Sequence, residues 1–226
     1  MNKMSKENLK LWDKVKTPET KYTKKVSMRG GYTATSPQYL IMLATEHLGS
    51  YGAGFGLSTS EFDYSLLNEF RLAIHTATFF YVLDGVRNEF PITNTVEVVS
   101  KNGHVDTDYA KKVETNTLCK ALSKIGFAAD VYMGMFDDGN YLQEVENEQA
   151  IQNASDKDAE RAKQAQELTD EFDKVIGQIN EARSLSELEG LYKSLARKLK
   201  DKSLQLKLSK AKDLIKAKLE KDNAAI

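Results

Sequence analysis

Three histidines, one cysteine and a pair of adjacent aspartates are the residues of this chain best suited to chemistry. His47, His75 and His104 are scattered, with no HExxH or other ligand spacing. His75 falls in a strand pattern and His47 on an apolar helix face, where a hydrogen-bonded core histidine is the usual outcome. Cys119 is alone, so it forms no internal disulfide and no thiolate zinc cage. Asp137 and Asp138, standing before Gly139-Asn140, fit a turn better than a metal site. Gly49, Gly52, Gly54 and Gly56 look like a phosphate loop at first sight. A dinucleotide fingerprint needs a strand before its glycines and a helix after them, whereas here a helix precedes and a strand is expected to follow. No GK[ST] follows either, so a helix-to-strand turn is the expectation. No Ser/His/Asp or Cys/His arrangement presents itself. The residues therefore point away from an enzyme, with no metal and no cofactor expected.

Basic residues interleaved with aromatics give a stronger signal. Trp12, Tyr22, Tyr32, Tyr39 and Tyr51 alternate with Lys14, Lys16, Lys21, Lys24, Lys25 and Arg29. A single-strand binder needs this mixture, cations to track phosphates and rings to stack bases. For any one of these tyrosines, packing in or around the core is the competing fate. The formal net charge is only −1, but it is patterned. Residues 1–30 carry a local balance of +6, residues 191–219 one of +8, and the remainder −15. Patterned charge suits contact with a polyanion better than the neutral total implies, although both blocks are also compatible with solvated helix faces.

The elements that position these residues follow from periodicity. Ser36 caps and Pro37 opens a helix that Gly49 closes, with Leu40, Leu43, Ala44, His47 and Leu48 on its buried face. Residues 69–99 are rich in strand formers, and Asp84-Gly85 is a two-residue hairpin signal. A second helix is expected from near Asp106 to Gly126, with Val113, Leu118, Leu122 and Ile125 inward. Helix, strands, helix implies α+β with a curved antiparallel sheet packed on a long helix. Composition then shifts near residue 146. The polar stretch 146–166 reads as a linker or a solvated helix. Residues 167–226 read as a small helical module, either a bundle or a hairpin with an extension. Its stripes are Leu168, Phe172, Val175 and Ile179; Leu188, Leu191, Leu195 and Leu199; and Leu204, Leu208, Leu214 and Ile215. Ser184-x-x-Glu187 supplies a capping box. With 41% hydrophobic and 29% charged residues the chain is globular. It has no apolar run long enough for a transmembrane helix and no secretory signal pattern, so no membrane partner and a reducing cytoplasm are expected.

Three ordered stretches carry a family resemblance: KYTKKVSMRGGYTATSPQYLIMLATEHLGSYGAGFGL (21–57), DYAKKVETNTLCKALSKIGFAADVYMG (108–134) and MFDDGNYL (135–142). The middle one contains a T-x-x-L-x-K-A-L-x-x-x-G core: Thr115, Leu118, Lys120, Ala121, Leu122 and Gly126. Together they resemble the phage single-strand annealing proteins of the Erf/Sak kind and, through them, the eukaryotic annealing protein of double-strand-break repair. The resemblance covers residues 9–145 approximately. It implies a bent antiparallel sheet against a long helix, assembled as a homo-oligomeric ring or open helical arc with a positively charged groove. In the eukaryotic relatives the groove is lined from the helix matching 108–126 and the turn matching 49–55. Carried over by position, Lys120 keeps a basic residue and Tyr51 keeps an aromatic. Cys119 and Ser123 stand where those relatives have further basic residues, and the helix 37–48 has no Lys or Arg. The groove is then expected to draw charge from Lys24, Lys25, Arg29, Lys111, Lys112 and Lys124. The C-terminal helices match no named module, although annealing proteins often end in one that binds host partners.

The function expected is single-stranded DNA binding and strand annealing within residues 1–145, in a bacterial host cytoplasm if the source is a phage. The alternatives are a single-strand binder or replication accessory protein that does not anneal, a structural protein whose C-terminal helices recruit a host or phage partner, and a nuclease.

Overall fold

The computed structural model describes residues 7–27, 30–196 and 202–224, with side chains in the last segment described over 203–220. The chain divides into two compact units, Met1–Val145 and Glu146–Ile226. The first is α+β and the second helical.

In the first unit a short helix α1 (Lys10–Val15) leads to a two-stranded antiparallel ribbon, β1 (Thr23–Val26) with β2 (Tyr32–Thr35). Sequence periodicity did not single this ribbon out, because each strand is only four residues long. Helix α2 (Pro37–Leu48) follows with the expected bounds, although Ser36 occupies the cap position without a side-chain capping bond, and the backbone N–H of Gly49 closes it on Thr45 O. Leu40, Ala44 and Leu48 are buried, with Leu43 packed alongside. A three-stranded antiparallel sheet comes next, in the order β3 (Phe55–Asp63), β4 (Leu72–Leu83), β5 (Val86–Glu97). Asp84 and Gly85 both adopt positive φ, 51° and 78°, which matches the twist of the β4–β5 hairpin. A short helix α3 (Leu67–Phe70) precedes β4, so Glu69 and Phe70 are helical and the strand begins only after left-handed Arg71. Helix α4 (Tyr109–Lys124) is shorter than expected at both ends. At its start, Asp106 accepts from the N–H of Asp108 and from Lys112, which holds 106–108 in a turn.

Alternation along β4 decides which face is covered. Ala73, His75, Ala77 and Phe79 are buried against the helices, whereas Thr76 is exposed on the other face. Leu118, Ala121 and Leu122 of α4 and Leu40, Ala44 and Leu48 of α2 close the core over Ala77, Phe79 and Ile92. Phe127, after α4, and Val15 complete it, and Ala128 N–H donates to Val15 O at 2.9 Å. Glycines do steric work at two places. A Cβ on Gly54 would stand 1.9 Å from Leu48 O, and one on Gly126, where φ is +107°, would stand 2.9 Å from the Trp12 ring. Helix α5 (Ala129–Tyr132) and a 3-10 turn (Met135–Asp137) lead to α6 (Gly139–Asn153).

The polar stretch 146–166 is largely helix. It takes the end of α6 and the start of α7 (Lys157–Asn180), whose cap Asp156 accepts from the N–H groups of Asp158 and Ala159. Helices α8 (Leu185–Ala196) and α9 (Lys202–Ala224) complete the second unit. The capping box is formed: Glu187 N–H donates to Ser184 Oγ, and Glu187 Oε2 accepts from the N–H of Arg183. Val175, Ile179, Leu188, Leu195, Leu204 and Leu208 make its core. Leu168 and Leu214 do not join it, being 41% and 74% exposed. Leu199 lies outside the described residues. Among the described residues, no helix is long and apolar enough to cross a membrane.

Candidate nucleic-acid interface

The cations expected to form a groove separate into three settings. Lys120 and Lys124 stand one turn apart on the same flank of α4, both exposed and both directed to β5. Lys120 Nζ donates to Thr93 O at 3.1 Å, and Lys124 Nζ lies 5.8 Å from the centre of the Phe90 ring. Neither forms an ion pair among the described residues. At the other end of the same helix, Lys111 pairs with Asp108 at 2.9 Å and Lys112 with Asp106 at 2.7 Å. Their charge is matched locally by acids in the turn that starts the helix, a spacing readable in the sequence.

On the ribbon, Lys24 and Lys25 are adjacent in β1 and so face opposite sides. Lys24 is exposed and pairs with no carboxylate among the described residues. Lys25 turns to the MFDDGNY segment, donating to Phe136 O at 3.3 Å and pairing with Asp137 at 3.4 Å. The Thr33 hydroxyl donates to Asp137 at 2.7 Å. That hydroxyl first, and Lys25 after it, hold the Asp137 carboxyl below its usual range. Asp138 accepts from the N–H of Asn140 and so starts α6. The two aspartates are thus a strand anchor and a helix start. Among the described residues no group of His, Cys, Asp and Glu is placed to hold a metal ion. Arg29 lies outside the described residues.

Tyr51, at the glycine turn, is half-exposed and packs edge-on against Phe55 at 5.4 Å. Burial raises its phenol pKa, and the nearby carboxylate of Glu114 adds to the rise. Of the other interleaved aromatics, Tyr39 is buried, stacked on Tyr22 at 4.4 Å with its hydroxyl accepting from Glu19 N–H. Tyr32, at the start of β2, is 46% exposed.

Two polar constellations have partners that the sequence did not show, although His75 is the hydrogen-bonded core histidine that its strand pattern implied. Fully buried His75 lies between two hydroxyls, Ser60 Oγ at 2.9 Å from Nε2 and Thr117 Oγ1 at 2.9 Å from Nδ1. This chain joins β3, β4 and α4, and burial lowers the pKa of its imidazole, with Glu114 opposing. Buried Asp130 accepts from Thr17 Oγ1 at 2.5 Å and from Tyr141 OH at 2.6 Å. Tyr141 is accordingly pushed up to about 12, by burial first and by this bond second. Cys119, 8% exposed in α4, is pushed up to about 11 by burial, which makes it an inert core thiol. In each case the partners are too far apart in sequence for spacing to show them. A comparison with protein-family models gives no match, and a comparison with curated proteins gives none either.

Proposed function

We propose that this protein binds single-stranded DNA with little sequence preference and promotes annealing of complementary strands. It does so as a homo-oligomer in the cytoplasm, without a cofactor and without making or breaking covalent bonds. The observation that carries this reading is the pair Lys120 and Lys124, two carboxylate-free cations one turn apart on the outer flank of α4. Side chains spaced in this way meet successive phosphates of one strand, and Lys24 on the ribbon adds a further cation. Binding through phosphates is indifferent to sequence and weakens steeply with salt. It leaves base edges accessible, so a second strand can test pairing and duplex formation supplies the free energy. Exposed rings such as Tyr32 offer stacking surfaces.

The test is annealing of complementary oligonucleotides, followed by strand-length gel shifts and electron microscopy with and without DNA. Wild type is expected to anneal strands and to form multimers. The Lys120→Ala/Lys124→Ala double variant is expected to bind and anneal poorly while remaining folded. Binding without annealing would reduce the protein to a single-strand binder, and an absence of DNA binding would reject the reading.

A further inference from the structure

Helix α9 is apolar on two sides. At 100° per residue, Leu204, Leu208, Ile215 and Leu219 fall on one narrow stripe, which packs into the core of the helical unit. Leu206, Lys207, Lys210, Leu214 and Lys218 fall on another arc of about 120°, turned away from that core. Leu206 is 60% and Leu214 74% exposed. The two acids of this helix whose side chains are described pair outside the second arc. Asp213 and Glu220 pair with Lys212 and Lys216, leaving Lys207, Lys210 and Lys218 without a carboxylate among the described residues. Alongside Lys207 runs a groove of about 330 Å³ between α7 and α9, with Leu168 on its far wall.

We infer that this arc is a docking surface for a partner protein, and that the partner segment is an acidic amphipathic helix. The two exposed leucines call for apolar anchors on the partner, and the lysines around them, Lys207 and Lys210 foremost, call for carboxylates flanking those anchors. A second copy of the same arc would set lysine against lysine. Nucleic acid would use the lysines and leave both leucines in water. The inference rests on the helical unit alone and stands or falls separately from the reading of residues 1–145.

The experiment uses the full chain and a fluorescent peptide with leucine along one helical face and glutamate on the other. Fluorescence anisotropy is expected to show binding that weakens with salt. Leu214→Ser should lower the affinity at least about tenfold, in line with loss of one buried leucine contact. Lys207→Glu/Lys210→Glu should abolish binding, and replacing the peptide leucines by serine should do the same. Leu214 and both lysines are solvent-exposed, so the variants are expected to keep the wild-type circular dichroism and melting profile. Four results would overturn the inference: no peptide binding; equal binding by wild type and Leu214→Ser; self-association of wild type that Leu214→Ser removes; or binding of oligo(dT) or of phosphatidylglycerol vesicles that the lysine double variant loses while peptide binding persists.

Discussion

Lys120 Nζ donates to the carbonyl oxygen of Thr93 at 3.1 Å, tying the flank of α4 to the edge strand β5. Two neighbours of Thr93 show the same management of that edge. Pro91 has no N–H to offer, and Thr95 N–H donates to the Asn94 side chain at 3.1 Å. An edge treated in this way is a poor template for another strand. It also means that the Lys120 side chain is extended and held in place before any ligand arrives. An ammonium has three donors and the Thr93 carbonyl takes one, so two remain for an anion.

This arrangement sets a ranking among the lysines. Lys120→Ala and Lys124→Ala are each expected to weaken single-strand binding about uniformly across sequences, and to lower the salt slope by roughly 0.7 per lost contact. Lys111→Ala and Lys112→Ala should have smaller effects, because Asp108 and Asp106 already hold those charges. Conversely, Asp106→Asn should release Lys112 and strengthen binding at low salt. Gel shifts over a salt titration check all five proteins. Equal losses across the four lysine variants would remove the α4 flank from the interface.

The glycine turn should respond as a steric device. Gly54→Ala would place a methyl group against the carbonyl of Leu48, a backbone atom that cannot rotate away. It is expected to cost more than the roughly 1–3 kcal/mol typical of local backbone strain, and a large drop in urea midpoint would show it. Gly52→Ala has open space but a φ of +88°, so its cost should be about 1 kcal/mol. A wild-type midpoint for Gly54→Ala would contradict the close approach of α2 and β3.

Much of this fold was legible because its signals are local. Ser36-Pro37 and Gly49 bracketed α2, Asp84-Gly85 placed the hairpin, and Leu118 and Leu122 marked the inner face of α4. The interface was legible only in outline. Counting lysines ignores what each one touches, and Lys25, Lys111 and Lys112 proved to be matched by nearby acids. Asp108 with Lys111 was readable three residues apart, whereas Lys25 with Asp137 joins segments more than a hundred residues apart. A similar separation hid Thr17 with Asp130, and Ser60 meets His75 only because β3 pairs with β4 across the intervening turn. A bond of this kind is set by tertiary packing, which periodicity does not encode.

The helical unit carries its own test. Residues 146–226 are expected to be helical in isolation and to melt cooperatively, since Ile179, Leu188 and Leu208 form a core within that unit. Leu208→Ala should cost about 2–5 kcal/mol as a buried large-to-small change. Ser184→Ala, which removes the cap on Glu187 N–H, should cost about 0.5–2 kcal/mol. Circular dichroism of the fragment measures all three, and a random-coil spectrum would show that the unit needs the rest of the chain.

The last expectation concerns His75, whose ring is wholly enclosed and touches hydroxyls on both nitrogens. A neutral imidazole has one N–H to give and one lone pair to fill, so Ser60 and Thr117 satisfy it in that state. Burial lowers its pKa from the ordinary 6.5, and Glu114 is the charged group that opposes the shift. The unfolded chain therefore binds a proton that the folded chain resists. Stability from this site is full above pH 6.5 and declines as pH falls through 6.5 toward the lower folded value. His75→Gln removes the titration and leaves at least one hydroxyl without its partner, at a cost of about 1–3 kcal/mol in mildly alkaline buffer. The stability gap between wild type and His75→Gln should then narrow as pH falls below 6.5. Carboxylates such as Asp137, which Thr33 and Lys25 hold below the usual range, titrate lower still and affect both proteins alike. Urea denaturation of the two proteins across this range decides it, and parallel profiles would mean that His75 charges as readily in the fold as outside it.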